Sequence, residues 1–292
     1  VSSLSDYVVR NWTTADGLPA NTINGIIQSK DGYIYAGTYE GLVRFDGFDF
    51  TILKRSPGNK YNFSSARSIF QDSRGNLWIG ANDEGVQKIS GSDSVFYTTQ
   101  DGLPNNSIRA IAEDKSGNVW IGTAAGIVYI TADGVINYPA GLGGVNSSQV
   151  LVENLYCDTA GRIWLLSNDL QGIFYYVGDS FKRFNDFSSF GEFFFTAIGQ
   201  DKNGFFWFGL GNQGIARSIN GKTERLVTNT ILDSEATYKI YCDDFGSIWF
   251  GSDKGIVLYK DGKFFEYKVN PSLPENPINS IVGDREGNIW VG

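Results

Sequence analysis

Histidine and methionine are absent from the 292 residues of this sequence, which contains only two cysteines. Without histidine, Ser-His-Asp and Cys-His catalytic sites, histidine-based acid–base catalysis and most metal centres are excluded. No apolar run reaches the roughly 18 residues of a transmembrane helix. We therefore expect no direct membrane insertion by this segment. Because an initiator methionine is also missing, we interpret the chain as a processed or excised domain.

Positive charge is scarce as well. Lys and Arg number 24 against 32 Asp and Glu, which gives a net charge of -8. Nucleic acids and anionic membrane surfaces are bound by clustered Lys and Arg, so neither partner is predicted. The longest basic connection, residues 53–60, is a candidate contact for a protein partner or an acidic sugar.

A short motif of glycine, any residue, an apolar residue and an aromatic residue occurs seven times. The aromatic positions are spaced by 43, 42, 44, 43, 42 and 41 residues. A repeat of this length with four short apolar runs is typical of a β-propeller. The sequence therefore predicts an all-β, seven-bladed β-propeller with four-stranded antiparallel blades. The aromatic positions are Tyr35, Trp78, Trp120, Trp164, Trp207, Trp249 and Trp290.

The third copy shows the frame of one repeat. Residues 107–113, 118–122, 127–131 and 135–138 predict strands a, b, c and d, counted outward from the centre. The turn between a and b contains an Asp three residues before a Gly, which suits a tight turn. This Asp recurs in every later copy, and its repetition favours turn chemistry over catalysis. The repeated Trp packs between blades or, alternatively, forms a ladder that stacks sugar rings.

Both cysteines occupy one position of this frame. Cys157 and Cys242 each precede the turn Asp, in the fourth and sixth copies. Two blades apart, they exceed the roughly 7 Å between Cα atoms that a disulfide allows. We expect two free, buried thiols.

The two ends of the chain complement each other. Residues 6–12 match strand d, whereas residues 277–292 supply only strands a and b of the seventh copy. The N-terminal strand is therefore expected to close the last blade. We predict a single domain over residues 1–292 with an incomplete seventh repeat, belonging to a longer receptor.

Further motifs give the repeat a family resemblance. Asp16-Gly-Leu-Pro19 and Asp101-Gly-Leu-Pro104 precede strand a in the first and third copies, and runs such as Ile69–Gly80 follow. This pattern resembles the two-component regulator propeller repeat across essentially the whole chain. The motif departs in other copies, where residues 140–142 lack its Asp and Pro.

The resemblance implies an extracytoplasmic sensor domain. In that family, propellers outside the membrane precede a β-sandwich, a transmembrane helix and a histidine kinase, hybrid regulator or diguanylate cyclase. It implies a periplasmic or extracellular location, further domains of the same receptor as partners, a homodimer, and ligands such as oligosaccharides. No residue of this chain shows these properties by itself.

Variable loops on a rigid scaffold are the usual place for specificity. In a propeller, the b–c and d–a connections share one face, so we expect a ligand there. The b–c loops offer amides and carboxylates that hydrogen-bond hydroxyl groups, although each can equally be a solvated turn residue. The candidates are Tyr39, Glu40, Asn82, Asp83, Glu84, Asn168, Asp169, Asn212, Gln213, Asp253 and Lys254. Phe187 and Phe190, in a d–a connection, are candidates for a stacking platform or a protein contact, or else fold over the blade edge.

Three functions follow from these observations. The first is a non-catalytic sensor that binds an oligosaccharide or other small ligand; the second is a protein-interaction scaffold without one. The third is a glycoside-active enzyme in which Asp83 pairs with Asp169 or Asp253. No cofactor is predicted, and no metal site, since the turns lack the clustered oxygen ligands of a calcium loop.

Overall fold

The computed structural model describes residues 7–53, 61, 63–141, 150–170, 172–184, 187, 190, 193–268 and 277–292. Within these residues, regular structure consists of β-strands and three short 3-10 helices at Thr14–Asp16, Gly211–Gln213 and Ile231–Asp233. The chain forms two compact units. The four-sheet unit comprises Thr13–Phe184, and the two-sheet unit comprises Val1–Trp12 with Asn185–Gly292. The basic connection at residues 54–60 lies outside the described residues.

The four-sheet unit contains four antiparallel sheets, each formed by four strands that pair in chain order. The first sheet contains β1–β4, at Gly25–Gln28, Ile34–Thr38, Gly41–Phe45 and Phe50–Leu53. The second contains β5–β8, at Ser68–Gln71, Leu77–Gly80, Val86–Ser90 and Asp93–Tyr97. The third contains β9–β12, at Ile108–Glu113, Val119–Thr123, Gly126–Ile130 and Ile136–Asn137. The fourth contains β13–β16, at Asn154–Cys157, Ile163–Ser167, Gly172–Val177 and Ser180–Phe184.

The two-sheet unit contains two further sheets of this kind and a strand pair. The fifth sheet contains β17–β20, at Ala197–Gln200, Phe206–Gly209, Ile215–Ile219 and Lys222–Leu226. The sixth contains β21–β24, at Thr237–Cys242, Ile248–Ser252, Gly255–Lys260 and Lys263–Lys268. The strand pair is β25, at Ile281–Gly283, with β26, at Ile289–Val291. In the third sheet, the observed strands match the predicted a, b, c and d strands to within one or two residues.

The predicted number of seven blades is wrong. Six four-stranded blades are present in the described residues, and the seventh repeat copy supplies only the β25–β26 pair. Residues 7–13 are not in a strand, so they do not complete that pair as expected. The N-terminal segment instead contacts the last repeats through its rings. Trp12 stacks on Trp290 with 5.4 Å between ring centroids, and Tyr7 meets Trp249 edge-on at 5.4 Å.

Each repeated Trp is anchored by the turn Asp of its own repeat. The indole Nε1 of Trp78 donates to Asp72 Oδ2 at 2.9 Å, and the same Asp carboxylate accepts the backbone N–H of Asn76 at 2.8 Å. One carboxylate thus closes the a–b turn and satisfies a buried indole. The same indole bond links Asp114–Trp120, Asp158–Trp164, Asp201–Trp207, Asp243–Trp249 and Asp284–Trp290 at 2.7–3.2 Å.

In the four-sheet unit, neighbouring sheets are joined by a backbone bond at the entrance of β5, β9 and β13. The backbone N–H of Ala66 donates to Thr38 O of the preceding sheet at 2.7 Å, and that of Ile108 donates to Ala81 O at 3.0 Å. Val152 makes the same bond to Thr123 O at 3.1 Å. This joint fixes the first residues of these three a strands relative to the preceding b–c turn, which positions the candidate site.

Candidate binding face

The b–c turns and the d–a connections contact each other within a sheet. Glu84, in a b–c turn, accepts the backbone N–H of Ser64 at 2.7 Å and its hydroxyl at 2.9 Å. In the two-sheet unit, the Lys254 ammonium lies 2.6 Å from Glu235 Oε1. These contacts place both kinds of connection at the same end of their sheets. We call this end of each unit its binding face.

The b–c turn candidates lie largely open to solvent. Tyr39, Glu40, Asn82, Asp83, Glu84, Asn168 and Asp169 belong to the four-sheet unit, and Asn212, Gln213, Asp253 and Lys254 belong to the two-sheet unit. Some of them already accept hydrogen bonds from neighbouring protein groups. Asp169 accepts the backbone N–H of Leu151 at 3.3 Å, and Asp253 accepts the hydroxyl of Tyr238 at 3.4 Å. Their role in ligand binding stays a prediction.

Phe187 does not form an open platform. It is only 8% exposed, and its ring meets those of Phe190, Phe195 and Phe208 edge-on, with centroids 4.9–5.6 Å apart. Edge-to-face packing of this kind is favourable inside a core. The sequence could not separate this arrangement from a platform, because the five phenylalanines within residues 187–195 suit both.

Replacing Phe187 by alanine is expected to lower the free energy of unfolding by about 3 kcal/mol, because a buried aromatic leaves a cavity. Phe194, which is 66% exposed, is the matched control, and Phe194→Ala is expected to change stability by less than about 0.5 kcal/mol. Urea denaturation of both variants measures the difference. Equal, small losses would mean that Phe187 is available to a ligand or partner after all.

The structure brings together a second set of residues that the sequence did not single out. They occupy one position, directly after the joint between sheets, where strand a begins. Asn24 and Arg67 donate their backbone N–H to Gly37 O and Gly80 O at 2.8 Å, and Glu153 donates to Leu166 O at 2.9 Å. Arg109 holds the same position as an extra residue, a β-bulge, between Ile108 and Ala110. Side chains at bulges are often turned toward functional sites.

Positive charge is concentrated at this position in the four-sheet unit. Arg67 Nη1 donates to Asn82 Oδ1 at 3.1 Å, which joins it to the b–c turn. Burial lowers the pKa of Arg67, and the nearby Arg109 lowers it further, whereas Tyr39 and Glu153 oppose the shift. Nε of Arg109 is buried and has no hydrogen-bond partner among the described residues. The sequence offered one sign of this position: Arg109 is a charged residue inside a largely apolar a strand.

The Asp-Gly-Leu-Pro motif forms a turn instead of a site. Asp101 accepts the backbone N–H and the hydroxyl of Thr98, both at 2.9 Å, and Gly102 has a φ of 110°. Leu103 is buried, and Asn106 accepts the backbone N–H of Thr99 at 2.8 Å. The motif thus supplies a cap, a left-handed glycine and a core residue.

Neither cysteine forms a disulfide, as predicted, but neither is fully buried. Burial raises the pKa of the Cys157 thiol to about 11 and that of the Cys242 thiol to about 12, with nearby carboxylates adding to the effect. No group of three or more metal-ligating side chains occurs among the residues that the structure describes. In the same residues, no helix has the length and hydropathy needed to cross a membrane.

Four segments of the chain match the repeat of a known protein family. The sequence profile of the two component regulator propeller matches residues 17–40, 60–83, 102–125 and 272–292. The chain carries two component regulator propeller repeats. A stretch of 60 residues is 35% identical to Histidine kinase P4 of Formosa agariphila, which amounts to 20% of this chain and 4% of that protein.

Solved structures share the propeller fold. The extracellular domain of BT3049, described as a hybrid two component system of B. thetaiotaomicron, has a TM-score of 0.77 at 20% identity. The match covers 97% of this chain but only 40% of that chain. Virginiamycin B lyase from Staphylococcus aureus matches with a TM-score of 0.72 at 16% identity, over 92% of this chain and 91% of the lyase. That lyase structure contains quinupristin and carries a catalytically inactivating replacement of a histidine by alanine.

Proposed function

We propose that the chain is a non-catalytic, extracytoplasmic sensor domain of a signal-transduction receptor, which binds a small ligand on its binding face. The observation that carries the proposal is the combination of two component regulator propeller repeats with the fold of an extracellular two-component domain over 97% of the chain. The periplasmic or extracellular location rests on the same relatives. Ligand binding rests on the polar b–c turns and on the arginines beside them.

A lyase activity is less well supported. The related lyase loses activity when one histidine is replaced, and this chain contains no histidine. Glycoside hydrolysis would need two carboxylates facing each other across a sugar. Among the candidates, Asp169 and Asp253 accept hydrogen bonds from neighbouring protein groups. The scaffold alternative is weakened, because Phe187 of its proposed contact patch lies in the core.

Signalling by such a domain requires that the ligand prefer one arrangement of the receptor. A bound ligand shifts an equilibrium only by the difference between its affinities for the two states. Domains that follow this chain in the receptor, or a second copy of it, would supply those states. We propose that the loops of the binding face are where that preference arises.

A thermal-shift screen of this chain against neutral and acidic oligosaccharides tests the proposal. A specific ligand at 100 times its dissociation constant stabilises the folded protein by about 2.7 kcal/mol, which is a shift of a few degrees. We expect at least one saccharide class to produce a saturable shift and to be recovered unchanged after incubation. Turnover of a saccharide, lost in Asp83→Asn or Asp169→Asn, would contradict the non-catalytic assignment. The absence of any shift would favour the scaffold.

A further inference from the structure

We propose that the four-sheet unit binds the anionic group of its ligand, a carboxylate or a sulfate, between Arg67 and Arg109. This inference rests on the proposed function and specifies the chemistry of its ligand. It follows from the placement of two arginines at equivalent positions of neighbouring sheets, at the entrance of their a strands.

Arg67 and Arg109 lie at the starts of neighbouring a strands, and their positive charges act on each other. Both side chains are partly buried, and no described carboxylate forms an ion pair with either of them. Like charges that are held together in a partly desolvated place repel each other. The fold keeps this unfavourable arrangement through the backbone joint between sheets. An anion between the two groups would remove the repulsion and add charge-assisted hydrogen bonds.

One hydrogen-bond donor of Arg109 is unsatisfied. Arg109 Nε is buried without a hydrogen-bond partner among the described residues. A buried donor without a partner is unfavourable, because it has lost its hydrogen bonds to water. The guanidinium presents its N–H groups in a planar fork that matches carboxylate and sulfate oxygens. Binding an anion would satisfy this nitrogen, whereas a neutral hydroxyl would do so without compensating the charge.

Neighbouring residues orient the Arg67 side chain. Arg67 is held toward the b–c turn by its bond to Asn82 Oδ1 at 3.1 Å. Tyr39, exposed in the preceding b–c turn, and Glu153, at the start of the fourth sheet, both interact electrostatically with Arg67. Arg67 is therefore partly oriented before a ligand arrives.

Isothermal titration calorimetry with trigalacturonate, neutral galactotriose and sodium sulfate tests the inference, at constant ionic strength maintained with chloride. We expect saturable binding of trigalacturonate and weaker binding of sulfate, with galactotriose at least tenfold weaker than trigalacturonate. Arg67→Gln and Arg109→Gln should each weaken trigalacturonate binding by about tenfold or more, since each removes a charge-assisted hydrogen bond to the anion.

Three further variants control the charge and the fold. Arg225→Gln removes a positive charge from an exposed position of β20 and should leave the affinity unchanged. Glu153→Gln should strengthen trigalacturonate binding several-fold, because a nearby negative charge is removed. Arg109→Lys keeps the charge but loses the fork, so it should restore only part of the affinity. Both arginine-to-glutamine variants should melt no lower than the parent, because a repulsion is relieved.

The outcomes separate this inference from the proposed function. If saccharides bind but their affinity is the same in Arg67→Gln and Arg109→Gln, the anion site is wrong and the sensor proposal stands. If sulfate and trigalacturonate both fail to bind at millimolar concentration, the anion site is also wrong. If no saccharide in the thermal-shift screen binds, the proposed function fails with it.

Discussion

Replacing Asp72 by alanine is expected to lower the free energy of unfolding by about 4 kcal/mol. The carboxylate is buried and accepts the indole N–H of Trp78 at 2.9 Å and the backbone N–H groups of Arg74 and Asn76 at 3.1 and 2.8 Å. Its loss leaves a buried indole donor unsatisfied, at about 1–3 kcal/mol, and opens a turn whose bonds contribute about 1 kcal/mol each. Urea denaturation measures the loss.

A double-mutant cycle with Trp78→Phe isolates the indole bond. That variant removes the N–H while keeping most of the ring, so we expect a loss of about 1–2 kcal/mol. In the double variant no indole donor is left unsatisfied, and the losses should fall short of additivity by about 1 kcal/mol or more. Asp93→Ala, at an exposed position of β8, is the control and should be nearly neutral. Strict additivity of Asp72→Ala and Trp78→Phe would contradict the proposed bond.

The effect of Asp72 should also depend on pH. Burial opposes ionisation of Asp72, but hydrogen bonds from Trp78 and Asn76 outweigh it and hold the pKa below the ordinary value of 3.8. The stabilisation is therefore complete above the pKa of the unfolded chain and is lost as the pH falls through the lower pKa of the folded protein. The difference between the parent and Asp72→Ala should shrink in acid. A constant difference down to about pH 2 would contradict this linkage.

Replacing Gly85 by alanine is expected to lower the free energy of unfolding by more than about 4 kcal/mol. Losses of this size occur only when a substitution severely disrupts the backbone or the core. Gly85 has a φ of 89°, which L-residues with a side chain rarely adopt. A Cβ atom there would also overlap the carbonyl oxygen of Tyr97, which is backbone and cannot rotate away. The variant must either shift the b–c turn or break the hydrogen bond that the Gly85 N–H donates to Asn106 O at 2.9 Å.

A variant at Gly47 distinguishes the backbone strain of a positive φ from the overlap with Tyr97 O. It has a φ of 101°, but a Cβ atom there would meet nothing within 4 Å. Gly47→Ala should therefore cost only the backbone strain, about 1–2 kcal/mol. Thermal denaturation of both variants gives the comparison. Similar losses in both would mean that the close approach of Tyr97 is relieved by a small local movement.

The sequence predicted the strands and the turn residues well, because both depend on local patterns. In the third repeat, the alternation of residues 107–113 and the turn around Asp114 and Gly117 suffice to place two strands. The bond between Asp114 and Trp120, at 2.8 Å, could not be predicted from either residue alone. Asp looked like a turn residue and Trp like a packing residue, and only the fold brings them together.

The candidate site was predicted less completely, for a physical reason. Loop residues such as Asn82 and Asp83 are visible as polar positions between strands, whereas Arg109 lies within a strand, as the extra residue of a β-bulge. A bulge depends on pairing with the partner strand, and a single sequence does not determine that pairing. The burial of Phe187 and the two-stranded seventh sheet likewise depend on contacts between distant residues.

Amide hydrogen exchange of the four-sheet unit in the presence of a saturating saccharide tests the central claim, that a ligand binds on the binding face. The account predicts slowed exchange at residues 38–41 and 81–85 and at the starts of β5 and β9, with no change in the a–b turns at residues 72–76 and 114–118. Slowed exchange confined to those a–b turns, at the opposite end of the sheets, would contradict it.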